Sequence, residues 1–441
     1  MRWPVMGISR PVSPVKRRTR QQSPDRKSIV RGAEIKGEIK ALTGLRIVAA
    51  VWVVLFHFRP MLSDVSPDFR ESLSPVLNCG AQGVDLFFIL SGFVLAWNYL
   101  DRMGKSWSTR ETVHFLWLRL ARVWPVYLVT LHLAAVWVIL TLHVGHVPSP
   151  DVAQLTAISY VRQVLLVQLW FEPFFDGTSW DGPAWSISAE WLAYLLFGLL
   201  VLVIFRMKLA TRARTLTLLA FVAQLPPVVL LLTSGFFYTP WSWLPRIVTQ
   251  FTAGALACAA VRRLELSDRA RRVVGYISLL LIVAMVSMVY LLDAYPISGV
   301  LDGGGVVDML FVPLVITLAI GMGSLPRLLS TRVMVYGGQI SFCLYMVHEL
   351  VHTAWTWAVV QFQLTPWHSD SPWKWNVIGL IAIAVVFSSL MYHFIEEPAR
   401  RWMRRMVDIR PATAKTEPDE SANAKLHQID GALEQVSARA V

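Results

Sequence analysis

Arg46 and His57 stand eleven residues apart in LTGLRIVAAVWVVLFHF, residues 42–58, a run that is apolar almost throughout. At about 100° per residue, eleven steps of a helix make three turns plus roughly 20°, so both side chains leave the same face, roughly 16 Å apart along the axis. A guanidinium fork takes phosphate oxygens in pairs. A neutral imidazole can take a proton from a hydroxyl. The two together suit something long and thin, with an anionic head and a reactive group at its far end.

Other motifs supply groups at the same two levels. RLARVWPVY sets Arg119 and Arg122 one turn apart and facing the same way, which with Arg46 makes a mouth of three guanidinium groups. Pro125 in that motif is expected to disturb the first turns of its helix. Counting along each run at the helical rise, Arg46 lies roughly 6 Å and His57 roughly 22 Å from the inner end of the first span. Asp85, in GVDLFFILSGF, lies roughly 7 Å from the outer end of the second, and His348, in SFCLYMVHELVH, roughly 21 Å from the inner end of a later one. Glu190, in GPAWSISAEWLAY, opens a span at the outer side. Ser91, Trp185, Ser186 and His348 are the candidate substrate contacts in these motifs. Acyl-coenzyme A has the shape this geometry asks for: phosphates, a pantetheine arm and a thioester. His57 then acts as base toward an acceptor hydroxyl, or becomes the acyl carrier itself. Asp85 is the first choice as orienter of the imidazole and Glu190 the second, unless Glu190 holds the acceptor.

Blander readings attach to each feature. An arginine pair at a helix end also serves topology, a buried carboxylate can bond neighbouring helices, and Glu396 and Glu397 can pair with the arginines that follow them. His114, His132, His143, His146, His352, His368 and His393 gain nothing from their positions. Ionisable groups within a membrane nonetheless read first as functional.

The elements that must hold these groups follow from composition. The chain is 55% hydrophobic and only 16% charged over 441 residues, with mean hydropathy +0.50. That excludes an ordinary soluble domain. The net charge of +12 sits in blocks between apolar runs and in the N-terminal tail, so it reads as topology and headgroup attraction rather than a nucleic-acid face. Runs long enough to cross a bilayer fall near 42–61, 80–100, 115–142, 190–205, 215–233, 244–261, 273–292, 306–325, 334–360 and 375–396. Basic blocks such as Arg206–Arg214, Arg262–Arg272 and Arg400–Arg405 recur at every second loop. The expected fold is therefore all-α and polytopic, with about ten transmembrane helices and both termini cytoplasmic. Residues 153–175 are apolar too, but counting them as a span would invert the charge pattern. They are expected to form an interfacial or re-entrant element between the third and fourth helices. A basic, disordered cytoplasmic tail, 1–40, without signal-peptide character, precedes the membrane domain at 41–405, and a polar cytoplasmic tail, 406–441, follows it. Three cysteines without metal-ligand spacing give no disulfide framework and no zinc site.

In order along residues 40–405, LTGLRIVAAVWVVLFHF, GVDLFFILSGFVL, RLARVWPVY, WSISAEWLAY, GGQISFCLYMVH and FIEEPARRW resemble the motifs of acyltransferase family 3. Its members are integral-membrane enzymes that acylate surface polysaccharides, lipopolysaccharide, peptidoglycan and some small molecules. The resemblance places the family's arginine–histidine motif on Arg46 and His57 and its double-arginine motif, tied to acyl-coenzyme A use, on Arg119 and Arg122. It implies an inner-membrane O-acyltransferase, acetyl-coenzyme A being the first donor to consider, with no metal, and a glycan or lipid-linked saccharide as acceptor. Some members append an extracellular SGNH-type hydrolase domain; residues 406–441 carry no such motif, so a stand-alone enzyme is expected. An antibiotic or other small molecule is the alternative acceptor. The competing class is a proton-coupled exporter with His57 and Asp85 as relay, although the two halves show no convincing internal similarity.

Overall fold

Hydrocarbon offers a peptide group no hydrogen-bond partner, so long apolar runs close their backbone bonds within themselves, as helices. The computed structural model describes residues 29–31, 37–65, 67–143, 154–174, 180–364 and 376–408. Most of the two expected tails lies outside these residues, as do His146 and His368. The chain runs through strand β1 (Ile29–Arg31), then helices α1 (Lys40–Val65), α2 (Pro67–Asn78), α3 (Gly83–Met103) and α4 (Thr109–His143). Next come the short α5 (Ala157–Val164), α6 (Trp185–Ala210), α7 (Ala213–Val222), α8 (Leu225–Ser234) and α9 (Trp243–Val261). Strand β2 (Glu265–Ser267) leads into α10 (Asp268–Ala294), α11 (Phe311–Ile320), α12 (Ser324–Leu329) and α13 (Arg332–Gln361). The last helices are α14 (Asn376–Met391) and α15 (Glu397–Asp408), joined by a π-helical stretch, Tyr392–Glu396.

Among the described residues, nine helical stretches are long and apolar enough to cross a bilayer, α7 with α8 and α14 with α15 each counting as one. The remaining expected run, 334–360, lies in α13, whose 30 residues would reach about 45 Å. Its hydropathy is diluted by the residues of greatest interest here, His348, Glu349 and His352 among them. Packing direction identifies it as a companion of the spans. Gly338 abuts Thr43, Gly337 abuts Ile47 and His348 meets His57, so α13 runs parallel to α1. In α3, Gly83 meets Ala49 and Val53 while Gly80, just ahead of it, meets Trp52 and Phe56, so α3 is antiparallel to α1. α9 runs parallel to α3, Asp85 meeting Arg246 and Gly92 meeting Phe251. These directions are those of a first, second, sixth and ninth span. α4 continues unbroken through Pro125, so the expected disturbance of its first turns does not end the helix.

The apolar segment between α4 and α6 is not a crossing. Its eight-residue helix is about 12 Å long, and the backbone then turns through Leu166 at a φ of 62°. Tyr127 donates its hydroxyl to the Gln163 carbonyl at 2.9 Å, Trp124 its indole N–H to Val164 at 3.0 Å, and Gln168 its amide to Ala184 at 3.0 Å. The segment is thereby laid against α4 and the start of α6, as an interfacial element would be.

One end of the bundle is basic and the other is not. At the basic end Lys208 and Arg262 both hold Asp101, Arg102 pairs with Glu111 at 2.5 Å, and β1 pairs antiparallel with β2 in the register Val30 to Leu266. Part of the expected N-terminal tail is thus a strand.

α3 and α9 make the most extensive helix contact, and small residues permit it. A Cβ on Gly92 would lie 1.9 Å from the Phe251 carbonyl oxygen and one on Gly254 2.0 Å from that of Ile89. We expect Gly92→Ala to lower the thermal stability of the detergent-solubilised protein markedly. Gly379→Ala, inside α14 where a Cβ meets nothing within 4 Å, should not lower the unfolding midpoint.

Candidate active site

The three arginines singled out by spacing converge on one cavity. Arg46 from α1 and Arg119 and Arg122 from α4 line it, together with Ser91 of α3 and Ser186 and Glu190 of α6. Glu190 and Ser91 both face the Tyr194 hydroxyl. Toward the basic end the cavity adjoins a second, of about 330 Å³, through the shared walls of Arg46, Val94 and Arg122; Thr43, Asn98 and Arg400 line its far side. Glu396 is the fully buried counter-charge. Its carboxylate lies 3.9 Å from Arg122 and 3.7 Å from Arg400 and accepts from Cys343 Sγ at 3.3 Å. The π-helical stretch is what delivers it there, an extra residue in one turn rotating the side chain inward. Glu397 instead pairs with Arg400 and Arg401. Arg46 and Arg119 each keep a buried Nε without a hydrogen-bond partner, and neither has a salt bridge among the described residues. Around this first cavity three guanidinium groups, Arg46, Arg119 and Arg122, face two carboxylates, Glu190 and Glu396; in the adjoining cavity Glu38 lines the wall and Arg400 is also paired with Glu397. The excess positive charge of the first cavity suits an anion.

His57 lines a different cavity, of about 430 Å³, with Trp185, Pro183, Tyr238, Tyr345 and Glu349. Tyr345 and Val84 are walls of both this cavity and the one holding the arginines. Tyr345 donates to the Pro183 carbonyl at 2.9 Å and accepts from Ser186 at 2.8 Å, which fixes the partition between the two. His57 Nδ1 lies 2.9 Å from the carbonyl of Val53, one turn back. A carbonyl can only accept, so Nδ1 carries a proton, and in the neutral ring Nε2 is then the nitrogen with the lone pair. The same N–H lies 3.3 Å from Nε2 of the fully buried His348. Glu349 completes the cluster. Its Oε1 accepts from His352 at 3.2 Å and Thr353 at 3.4 Å, and its Oε2 is buried without a hydrogen-bond partner. Donor atoms of His57, His348 and Glu349 lie within 4.8 Å of one another. Two imidazoles and a carboxylate could hold a divalent cation. The His57 nitrogen that faces His348 carries a proton, however, so the arrangement is read as an acid–base cluster.

The structure brings together Arg46, Arg119, Arg122, Ser91, Ser186 and Glu190 in one cavity and His57 and Trp185 in the next, with His348 buried against His57 rather than lining it. It does not bring Asp85 to His57. The Asp85 carboxylate is held by Arg246, with Nε at 2.9 Å and Nη2 at 2.5 Å, and both residues are buried. Glu190 also stays apart from the imidazole, on the arginine side of the Tyr345 partition. Neither expected orienter touches the histidine, because one satisfies a buried cation and the other faces Tyr194. Glu349 and Arg246 are the residues that the sequence reading missed. Glu349 follows His348 directly in HELVH, and that adjacency was the available signal. Arg246 lies amid an apolar run, where a lone guanidinium must find a partner. It stacks within 4.4 Å of the Phe237 ring centre, 4.9 Å of Tyr238 and 5.4 Å of Trp185. Through the last two, the ion pair holds the wall of the His57 cavity.

Known proteins share this sequence pattern. A family described as an acyltransferase domain matches residues 39–393. An acyltransferase of Streptomyces mycarofaciens, MdmB, is 32% identical over 162 residues, 36% of this chain and 38% of that one. A Bacillus subtilis protein provisionally named peptidoglycan O-acetyltransferase YrhL is 23% identical over 388 residues, 82% of this chain and 55% of that one. Protein 2 in the picA locus of Rhizobium radiobacter is 32% identical over 152 residues, 34% of this chain and 72% of that one. The chain thus spans well under two thirds of the first two relatives. No solved structure matches it.

Behind the Gly182–Pro183 wall lies Asp181, buried and accepting from Thr130 at 3.3 Å. Burial pushes its carboxyl up to about 7; the Thr130 hydrogen bond opposes the rise, and the charge of Glu349 adds to it. The folded chain therefore holds this proton more tightly than the unfolded one, whose carboxyl titrates near 3.8. Stability from this group is present below that value and declines as pH rises toward about 7. In Asp181→Asn the unfolding midpoint should vary less with pH across this window than in wild type, as a pH series of thermal melts in detergent would record.

Proposed function

Because the chain belongs to the acyltransferase-domain family that matches residues 39–393, we propose that it is an integral-membrane O-acyltransferase. It moves an acyl group, acetyl in the first instance, from acyl-coenzyme A to a hydroxyl of an exported glycan or lipid-linked saccharide. The observation that carries this reading is the succession of cavities, each sharing walls with the next, from Arg400 and Arg122 to Arg46 and then past Tyr345 to His57. A phosphate-bearing head fits the guanidinium end, a neutral arm fits the apolar middle, and the thioester then reaches the imidazole. In this reading the protein sits in the inner membrane with the arginine end and both termini on the cytoplasmic side, which the excess of basic loops at that end supports.

In this reading, Nε2 of His57 removes the proton of the acceptor hydroxyl while its oxygen attacks the thioester carbonyl. The new C–O bond forms, the C–S bond breaks, and the imidazolium returns its proton to the departing thiolate. His348 and the Val53 carbonyl hold the His57 ring in the required tautomer. Glu349, rather than Asp85, offsets the charge that develops on the ring. Arg46, Arg119 and Arg122 hold the donor's phosphates, with Ser91, Ser186 and Glu190 along its arm. The relative named for peptidoglycan O-acetylation supports a saccharide acceptor.

His57→Ala should lower acetyl-coenzyme A-dependent transfer by about 10²-fold or more, with the protein still monodisperse in detergent. Glu349→Gln should lower kcat with the donor KM unchanged, whereas Arg119→Met should raise the donor KM. Full turnover in His57→Ala, measured in membranes by thiol release and by NMR of the glycan product, would refute the assignment.

A further inference from the structure

The His57 cavity adjoins one more, at the end of the bundle away from the arginines. The two share Phe56, Ala81 and Tyr238 as walls, and the Phe56 and His57 rings stand 5.2 Å apart. The outer cavity, of about 380 Å³, lies between the ends of α1, α2 and α10 and the Asp302–Gly305 turn. That volume is in the range of small-molecule sites. Its polar groups are mostly amides and carboxylates. Asn78 and Gln82 offer amides, Asp293 and Asp302 offer carboxylates, and three successive glycines, Gly303 to Gly305, leave the wall between them as bare backbone. Gln82 is only 5% exposed, yet its Oε1 has no hydrogen-bond partner. A buried amide oxygen left unbonded costs free energy until a donor reaches it.

Such a wall matches a polyol. Carboxylates accept from hydroxyls in strong, charge-assisted bonds, amides both donate and accept, and the rings of Phe56 and Tyr238 offer apolar faces to a sugar's C–H surface. The charge is selective as well. Arg59 is the lining cation, and it sits 3.9 Å over the Phe56 ring with Nη1 donating to the Phe56 carbonyl at 2.6 Å. Among the described residues, two carboxylates against one guanidinium leave the cavity negative. Asp302 is anchored, its Oδ2 accepting from the Phe237 N–H at 3.0 Å, while Asp293 is exposed.

We propose that this outer cavity is the acceptor subsite, built for a neutral or amino sugar and against an acidic one. The proposal rests on the acyl-transfer reading and adds to it the place and the charge class of the acceptor. A sugar seated between Asp293 and Gln82 would present a hydroxyl past Phe56 and Tyr238 to His57.

The test uses the full chain in membrane vesicles with acetyl-coenzyme A, and octyl N-acetylglucosaminide or octyl glucuronide as acceptor probes. Wild type should acetylate the neutral glycoside in clear preference to the glucuronide. Gln82→Leu and Asp293→Asn should each raise the KM for the neutral glycoside about tenfold, as expected for loss of one hydrogen bond worth about 1.4 kcal/mol. The donor KM should not move. Asp293→Lys should shift the preference toward the glucuronide. If the wild type transfers acetyl groups but these variants leave acceptor KM and preference untouched, the subsite is refuted and the acyl-transfer reading stands. If wild type consumes no acetyl-coenzyme A with either probe or with native glycan, both fall. Because Asp293 is exposed, its variants are expected to fold even where Gln82→Leu does not, and they decide the matter alone.

Discussion

A carboxylate and a guanidinium meet inside the helix bundle, and much of the site depends on that meeting. Asp85 near the start of α3 and Arg246 near the start of α9 are joined through two hydrogen bonds in a fork and are almost wholly buried. Neither could remain there alone. Removing one partner of such a pair typically costs about 3–5 kcal/mol, because the other charge is left without compensation. The pair sets the register of α3 on α9, and the register lets Gly92 and Gly254 bring the two backbones into direct contact. It also sets Trp185 and Tyr238 on the guanidinium face, and these two rings are walls of the cavity that contains His57. Gln250 and Asp308 extend the polar network by one more bond, at 3.2 Å.

From that brace the molecule divides its chemistry by depth. Cations gather toward one end, where Arg46, Arg119 and Arg122 outnumber Glu190 and Glu396 around one cavity. The imidazole pair and Glu349 lie toward the other, beyond the Tyr345 partition. α1 is the ruler between them. It is helical without a break from Lys40 to Val65, so Arg46 and His57 are held at a fixed separation of roughly 16 Å. α13 runs beside it in the same direction and adds His348 at the level of His57. A site built on two rigid helices can hold a base and an anion clamp at opposite ends of one elongated ligand.

Much of this was legible in the sequence, and what was not has a common cause. The spans, the three arginines and His57 follow from runs and spacings along one helix, which are local quantities. The interfacial segment was recognised from the alternation of charge, and its eight-residue helix agrees. Partners across helices are not local. Asp85 and Glu190 stood at the right depth for His57, but depth says nothing of azimuth. Arg246 claimed one and Tyr194 faces the other. Glu349 was overlooked beside His348 because adjacent helical residues point about 100° apart, and which of them faces α1 is decided by packing. β1 could not be foreseen, since its partner, β2, lies more than 230 residues further along the chain.

The central claim is that donor and acceptor approach one imidazole from opposite faces of the membrane. Sealed vesicles of known orientation, right-side-out and inside-out, test it directly when acetyl-coenzyme A is supplied only in the external medium and a saccharide acceptor is present on both sides. The account predicts turnover only where the arginine end faces the supplied donor, with the acetylated product on the opposite side. Donor consumption and product formation on the same face, or turnover in both orientations alike, would contradict it.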